Sequence, residues 1–198
     1  MKEKRLFFDT EFTELSVKGE LISLAFLSDN DQVFYAEFND YSLENCSGWV
    51  KENVIPKLLF NDRETHFDKQ QKSSYIKDKS GKIAHLLAEW FSEIGPVEIY
   101  SDCHAFDWVF FCNLYGTAFD LPKEIFYIPL DLATLFKYRG IKSDTNRESF
   151  VSTYKGHEFI EEIKIKANGA HNSLFDAFLI RASFEILECN KQNFHYQS

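Results

Sequence analysis

Short apolar runs along the chain predict β-strands, because each is bounded by polar or turn-forming residues. The first run, Leu6 to Phe8, leads directly into two acids, Asp9 and Glu11. The second run, Leu21 to Leu27, is apolar almost throughout. The residues between the second and third runs, Asp29-Asn30-Asp31, predict a hairpin turn. The predicted strands are Arg5–Asp9, Leu21–Leu27, Gln32–Phe38, Val97–Tyr100 and Ile125–Ile128.

Longer stretches with apolar residues three and four positions apart predict helices. Glycine or proline stands at or near the ends of several of them, as is typical of helix termination. The predicted helices are Leu43–Leu59 (stopped near Pro56), Ile83–Ile94, His104–Tyr115, Leu132–Tyr138 and Ser173–Cys189. Two segments without a clear period, Asn61–Lys82 and Ser143–Gly156, are predicted as loops, the first leading into a helix.

The order of these elements predicts the fold class. Three sequential strands followed by alternating strands and helices indicate an α/β fold, a mixed β-sheet flanked by helices. The 198 residues suffice for one good-sized core, and there is no internal repeat or linker. We therefore expect a single domain over residues 1–198.

Composition excludes several classes of protein. A hydrophobic content of 44% with 21 Phe is typical of a globular chain, and no apolar run approaches the roughly 18 residues that span a bilayer. The apolar stretch after the basic N-terminus is too short for a signal peptide. Four scattered cysteines without a C-x-x-C pair predict a reduced, cytoplasmic protein with cysteines as small core residues. They are Cys46, Cys103, Cys112 and Cys189.

The net charge of −9 argues against binding of a long nucleic-acid track, which usually needs a basic surface. It is compatible with an enzyme that holds a few nucleotides through metal ions. One segment, from Lys137 to Lys155, is basic, with five Lys and Arg residues against Asp144 and Glu148. A solvated loop and a substrate contact are both open interpretations of this segment.

Two acids end the first predicted strand. Asp9 and Glu11 are two residues apart, so both side chains point to the same face of the strand. Like charges on one face repel, which suggests a cation between them. The spacing alone is weak evidence for such a site, because ordinary surface strand ends often carry acids.

A third acid, Asp107, lies in the apolar stretch "SDCHAFDWVFF". Its apolar neighbours cover nearly the whole circumference of the predicted helix, which is therefore expected to be buried. A buried carboxylate is costly unless a cation or hydrogen bonds compensate it. The alternative is stabilisation by the helix dipole in the first turn, with Ser101 or Asp102 as the helix cap.

The stretch "AHNSLFDAFLIRA" adds His171 and Asp176. Ser173 to Asp176 loosely matches a capping box, so Asp176 has a purely structural interpretation, and His171 could be an ordinary loop histidine. Within one helix their side chains would diverge by about 140°. If His171 instead lies in the loop before the helix, it can fold over a pocket that Asp176 enters from the first turn.

Together, Asp9-Thr10-Glu11, Phe106-Asp107 and the pair His171 and Asp176 resemble the signature of the DEDDh exonucleases, in the RNase H-like superfamily. The stretches "FFDTEFTEL", "GELISLAFL" and "GWVKENVIPKL" are similar to the RNase AS branch, polyadenylate-specific 3′-exoribonucleases that are in turn similar to RNase T. Cys103 stands where that family commonly has Asn, which affects the expected substrate contacts and not the metal site.

The resemblance implies a metal-dependent 3′–5′ exoribonuclease acting on single-stranded RNA and releasing nucleoside 5′-monophosphates. Carboxylates suit Mg²⁺, with Mn²⁺ as a substitute, and two ions about 3.5–4 Å apart can clamp a scissile phosphate. The implied ligands are Asp9, Glu11, Asp107 and Asp176, and His171 is the implied general base. Single-stranded DNA as substrate, or a non-catalytic nucleic-acid-binding module of the same fold, remain the alternatives.

Candidate substrate contacts are less specific, because each also has an ordinary structural explanation. Phe12 could pack against the terminal base, Trp108 and His104 could stack on bases, and Glu20 could reach a base edge. Thr10, between the two strand acids, is also a candidate contact, whereas Asp131 is interpreted as a helix cap. The resemblance further implies a homodimer in which one subunit supplies substrate contacts to the other, a function that the basic segment could serve.

Overall fold

The computed structural model describes residues 4–60, 65–70, 73–102 and 104–189. The strands are β1 (Lys4–Phe12), β2 (Leu21–Ser28), β3 (Val33–Phe38), β4 (His66–Gln70), β5 (Ser73–Asp78), β6 (Val97–Ser101) and β7 (Leu130–Asp131). The helices are α1 (Gly48–Asn53), α2 (Ser80–Ile94), α3 (Ala105–Asn113), α4 (Leu132–Tyr138), α5 (Arg147–Lys155), α6 (His157–Ala167) and α7 (Ser173–Cys189). Two 3₁₀ turns, Leu43–Asn45 and Ile55–Lys57, flank α1.

Within the described part of the chain the strands form one seven-stranded sheet, in the order β4-β5-β3-β2-β1-β6-β7. Strand β1 pairs antiparallel with β2 and parallel with β6, so the sheet is mixed. Every residue of β2 is buried, because helices cover both faces of the sheet centre. The predicted α/β class is confirmed, and the arrangement is consistent with an RNase H-like fold.

Alternation along β1 separates two hydrophobic layers. Phe7 packs in the layer that contains α7, whereas Leu6 and Phe8 pack in the layer that contains α2 and α3. Phe8 pairs in register with Phe26, and their rings stack at 4.4 Å. Burial of each such side chain contributes about 1.5–3 kcal/mol, which holds the central strands in place.

Two segments predicted as loops contain regular structure, and those predictions are wrong. Strands β4 and β5 lie within 61–82, and helix α5 lies within 143–156. Strand β4 is an edge strand in which Phe67, Asp68 and Lys69 are all exposed, so apolar and polar positions do not separate onto two faces. Helix α5 begins at a cap, where Asn146 Oδ1 accepts a hydrogen bond from Ser149 N at 2.8 Å. Helix α6, for which the sequence made no prediction, follows it.

Other boundaries differ in detail. The predicted helix Leu43–Leu59 is divided into α1 and the two 3₁₀ turns. Of the predicted strand Ile125–Ile128, Ile125 forms a single bridge to Val97, and the paired strand is β7. The position of β7 in the chain is determined by its pairing with β6. The local sequence pattern does not indicate that pairing.

The cysteine prediction holds in part. Cys46 and Cys112 are buried free thiols, as expected of small core residues, whereas Cys189 is exposed at the end of α7. Cys103 lies outside the described residues. None of the described helices has the length and apolar character needed to cross a membrane.

Candidate active site

The end of β1 presents two acids to the N-terminal end of α7. Asp9 and Glu11 lie on the same face of β1 as Phe7, and Glu11 stands opposite Ser23 of β2. The Ser23 and Ser173 hydroxyl oxygens are 3.0 Å apart, which holds the first residue of α7 beside the partner of Glu11. The first turn of α7 is therefore placed close to the strand acids.

Asp107 reaches the same place from α3. Its side chain is only 8% exposed, and its Oδ1 accepts a hydrogen bond from Thr10 N at 3.2 Å. The Thr10 hydroxyl hydrogen-bonds to the same oxygen. Because Thr10 lies between Asp9 and Glu11, these bonds fix the first turn of α3 against the acid-bearing part of β1.

His171 lies in the loop immediately before α7, with a left-handed φ of 67°. Its main-chain N donates to Asp176 Oδ2 at 3.1 Å. Ligand atoms of Glu11, His171 and Asp176 all lie within 4.8 Å of one another. The structural interpretation of Asp176 is thus correct in part, since its carboxylate does bind main chain, and the same carboxylate also faces the strand acids.

The helix caps differ from the sequence interpretation at one position. His104 directly precedes α3, so Ser101 and Asp102 do not cap it. The Asp102 carboxylate instead pairs with the guanidinium of Arg147, with Nε 2.7 Å from Oδ2 and Nη2 donating to Oδ1 at 2.8 Å. Asp131 does cap α4, as predicted, accepting hydrogen bonds from the first turn.

Burial raises the pKa of all four acids, and the charge of at least one neighbouring carboxylate adds to the effect in each case. Burial is the largest cause in each case, and it raises the pKa of Asp107 to about 6 and of Asp176 to about 7. The pKa of Asp9 is well above its ordinary range because of burial and then of Asp107, Asp176 and Glu11. The pKa of Glu11 is also well above its ordinary range, because of burial and then of the charges of Asp176 and Asp107. Asp9 and Glu11 therefore both lie in the field of Asp107 and Asp176, and Asp102 adds to the repulsion on Asp9, Asp107 and Asp176.

The chemistry of this cluster fits divalent cations. Within the described residues, neither the Asp9 nor the Glu11 carboxylate accepts a hydrogen bond, although both side chains are half-buried. Such charges are costly unless a cation compensates them. Oxygen-only ligand sets of this kind suit Mg²⁺ and Mn²⁺, so the residues fit the metal site expected from the sequence.

Sequence reasoning missed two neighbours of His171. The Trp49 ring stands edge-on to the imidazole, with centroids 4.8 Å apart, and Trp49 remains 53% exposed. Lys57 and His171 line a cavity of about 400 Å³. Burial, and then the charge of Lys57, lower the pKa of His171. Both neighbours come from "GWVKENVIPKL", which carried a family resemblance but no local signal of a site.

The candidate substrate contacts near β1 are engaged within the protein. The Phe12 ring packs against Phe110 at 4.9 Å, and Thr10 is buried under Asp107. The Glu20 carboxylate accepts hydrogen bonds from Ser42 N at 3.2 Å and Asn45 Nδ2 at 2.9 Å. These contacts hold the side chains of Phe12, Thr10 and Glu20 in place within the protein. Contact of any of the three with a substrate remains a proposal.

The two candidates at the start of α3, His104 and Trp108, are both half-buried. Trp108 packs on Phe111 at 5.4 Å, at the edge of the core layer under α3. His104 is half-buried at the start of the helix. The structure brings both near Asp107 along the chain but shows no contact of either ring with the acids.

The basic segment from 137 to 155 is largely helical and partly neutralised. Besides Arg147, Lys155 pairs with Glu185 at 2.6 Å, and Arg139 lies 3.9 Å from Glu188. The interpretation as a solvated loop is therefore wrong. Three of its five basic side chains are engaged within the chain, so a contact to substrate or to a second subunit stays a prediction.

Comparison with known proteins supplies a further finding. No family model matches the chain. The chain is similar to two proteins of Mycobacterium tuberculosis, from strains CDC 1551 / Oshkosh and ATCC 25618 / H37Rv. Each is 28% identical over 138 residues, which cover 69% of this chain and 76% of the relative. Both relatives are named 3′-5′ exoribonuclease.

Proposed function

We propose that this protein is a metal-dependent 3′–5′ exoribonuclease of the DEDDh type, which removes nucleoside 5′-monophosphates from the 3′ end of single-stranded RNA. The observation that carries the proposal is the convergence of four acids and His171 at the end of β1. Ligand atoms of Glu11, His171 and Asp176 lie within 4.8 Å of one another, and the charges of Asp107, Asp176 and Glu11 all act on Asp9. The two relatives named 3′-5′ exoribonuclease support the general activity. Metal dependence and substrate details are proposed on the geometry and on the sequence resemblance.

In this proposal Asp9, Glu11, Asp107 and Asp176 hold two divalent cations. When bound, such ions polarise the scissile phosphate, lower the pKa of a bound water and stabilise the leaving oxygen. The chain itself orients the ligands: Thr10 donates to Asp107, and the main chain of His171 donates to Asp176. Such outer contacts fix which carboxylate oxygens remain available to a cation.

His171 is the proposed general base, accepting a proton from the attacking water at an imidazole nitrogen. Its side chain is exposed, and its pKa lies below the ordinary value, so the neutral form predominates at neutral pH. The Trp49 ring packs nearly perpendicular to the imidazole on one side. These contacts keep an unprotonated nitrogen close to Glu11 and Asp176.

The proposed substrate is a short stretch of unpaired RNA. The chain is acidic, so it would hold few phosphates, and affinity would fall gently with salt. Trp49 offers an exposed aromatic surface beside His171, and base–aromatic stacking contributes about 1–3 kcal/mol per base. Preference for a terminal adenine and a 2′-hydroxyl and the homodimer belong to the proposal through the resemblance. A cytoplasmic location belongs to it through the scattered, unpaired cysteines.

A digestion panel tests the proposed activity. Labelled RNA and DNA homopolymers are incubated with Mg²⁺, with Mn²⁺ and with EDTA, and the products are resolved on a gel. We expect metal-dependent, stepwise shortening of single-stranded RNA from a free 3′-OH, fastest on poly(A). The Asp107→Asn variant should be inactive, whereas Glu93→Gln, a surface acid paired with Lys69, should behave as wild type.

Distinct outcomes would contradict distinct parts of the proposal. Equal rates on RNA and DNA, or no ranking among homopolymers, would remove the polyadenylate preference and leave the exonuclease. Faster digestion of DNA than of RNA would mean that single-stranded DNA, and not RNA, is the preferred substrate. Cleavage of a circular single strand would refute exonuclease action, because a circle has no 3′ end.

A further inference from the structure

A buried hydrogen-bond network lies beneath the His171 loop and connects it to the centre of the sheet. Its members, here called the Asn172 network, are Asn172, Tyr35, Glu37 and Lys77. The first three are 0% exposed and Lys77 is 6% exposed. Asn172 directly follows His171 in the chain, so the position of one constrains the other.

At the sheet end of the network, Glu37 and Lys77 form a buried ion pair. Lys77 Nζ donates to Glu37 Oε2 at 3.0 Å and to the Phe60 carbonyl at 3.0 Å. Glu37 Oε1 accepts from the main-chain N of Leu59 at 2.6 Å and of Phe60 at 3.0 Å. The pair therefore joins β3, β5 and the segment that follows Lys57.

At the other end, the network reaches the active-site loop. The Tyr35 hydroxyl donates to Glu37 Oε1 at 2.7 Å and accepts from Asn172 Nδ2 at 3.3 Å. Asn172 Nδ2 also donates to the Lys57 carbonyl at 2.8 Å, and its Oδ1 accepts from Leu174 N at 2.9 Å. Both ends of the amide are thus used, one to cap α7 and one to hold the loop to two distant segments.

The energetics of the Asn172 network favour a role in positioning neighbouring groups. A buried ion pair loses its hydration, and well-packed apolar residues of similar volume are often as stabilising. What apolar residues cannot supply is direction, because dispersion contacts tolerate rotation and hydrogen bonds do not. Burial and the adjacent Glu37 also raise the pKa of Tyr35 well above its ordinary value, so its hydroxyl keeps the proton that it donates.

We propose that Asn172 and Tyr35 are positioning residues that set the place of His171 relative to the four acids, with the Glu37–Lys77 pair holding the Tyr35 hydroxyl. This inference rests on the proposed function, because it requires His171 to act in the reaction. The left-handed backbone of His171 is unfavourable for a residue with a side chain and needs such support from its surroundings. Loss of the network would move the imidazole without removing it.

Two variants separate this role from folding. Tyr35→Phe keeps the ring, and Glu37 Oε1 keeps its two main-chain donors. Asn172→Ser keeps an N-cap oxygen for α7 but removes the amide donor. We expect kcat to fall about 3- to 10-fold in Tyr35→Phe, the range of one lost hydrogen bond. Displacement of a reacting group costs up to about 100-fold, and Asn172→Ser should fall within about 10- to 100-fold.

The Tyr35→Phe and Asn172→Ser variants should lower kcat and leave KM for RNA almost unchanged. Because the side-chain hydrogen bonds of the network reach none of the four carboxylates, and its members are buried, KM for RNA and affinity for Mn²⁺ should stay within about twofold of wild type. Tyr100→Phe is the matched control, since it removes a half-buried hydroxyl that bonds to Glu98 on another part of the sheet. Its kcat should be unchanged. A fall in kcat for Tyr100→Phe equal to that of Tyr35→Phe would overturn the inference.

A double-mutant cycle with His171→Ala gives the decisive readout. If Tyr35 acts through His171, then Tyr35→Phe should lower single-turnover rates in wild type and have no effect in the His171→Ala background. Equal effects in both backgrounds would overturn the inference and leave the proposed function standing. An unchanged rate in His171→Ala alone would overturn the proposed role of His171, and the inference with it.

Discussion

The acid cluster predicts that the metal-free protein becomes more stable when Asp107 is replaced by Asn. Asp107 is 8% exposed, and burial raises its pKa although Thr10 hydrogen-bonds to its carboxylate. Asparagine has nearly the same shape and retains an oxygen that can accept from Thr10. The substitution therefore removes a buried negative charge and changes little else.

The magnitude follows from the pKa of Asp107, which is about 6 in the folded protein against an ordinary value of 3.8. The folded state binds this proton more tightly than the unfolded state, so stability falls as pH rises from about 4 to about 6. Above that range the penalty is complete, at about 3 kcal/mol. Allowing for weaker hydrogen bonds to the amide, we expect a gain of about 1–3 kcal/mol at pH 8, or about 3–10 °C in Tm.

Thermal unfolding in EDTA at pH 4 and pH 8 measures this effect. At pH 4 the variant and wild type should unfold at similar temperatures, because folded Asp107 is already protonated. Asp102→Asn is the contrasting variant: it breaks the pair with Arg147, whose Nε lies 2.7 Å from Oδ2, and should lower stability. An Asp107→Asn variant no more stable than wild type at pH 8, or equally stabilised at both pH values, would refute the reasoning.

Four further outcomes follow from the same site. Millimolar Mn²⁺ should raise the Tm of wild type at pH 7.5 and leave Asp107→Asn unchanged, and a melting scan without a shift in wild type would contradict the shared metal site. His171→Ala should lower the rate of RNA trimming about 10²- to 10⁴-fold while calorimetry shows intact Mn²⁺ binding, whereas lost binding would make His171 a ligand. Trp49→Ala should raise KM for RNA about 5- to 100-fold, as loss of one stacked base predicts. Phe119→Ala removes another exposed aromatic ring, one that packs on Tyr127, and should leave KM unchanged. Lys57→Met removes a charge that disfavours the imidazolium, so the acid limb of the kcat/KM profile should move to higher pH, and an unmoved limb would refute the effect of Lys57 on His171.

Local periodicity was enough to predict the central elements and the acids they carry. The period of two in β1 places Asp9 and Glu11 on one face whatever lies around the strand. The apolar surroundings of Asp107 likewise predict its burial, which the structure confirms. These properties depend on residues within one or two turns or one strand length, so the sequence contains them directly.

Polar elements at the edges were not predictable in the same way. Strand β4 exists because it pairs with β5, and β5 because it pairs with β3, while their side chains show little alternation. Helix α5 depends on a cap and on contacts of Phe150 and Val151 with the layer around α7. Backbone pairing and packing against distant elements override weak local propensity in such segments.

What surrounds His171 was decided only by the tertiary structure. Asn172 meets the Lys57 carbonyl and the Tyr35 hydroxyl across 115 and 137 positions of sequence, and Trp49 reaches the imidazole across a similar distance. Nothing in the local pattern selects these partners, because each is buried or aromatic for reasons that many core residues share. These partners are determined when the sheet and α7 pack together, because only then do the donors and acceptors come within hydrogen-bond distance and in the required direction.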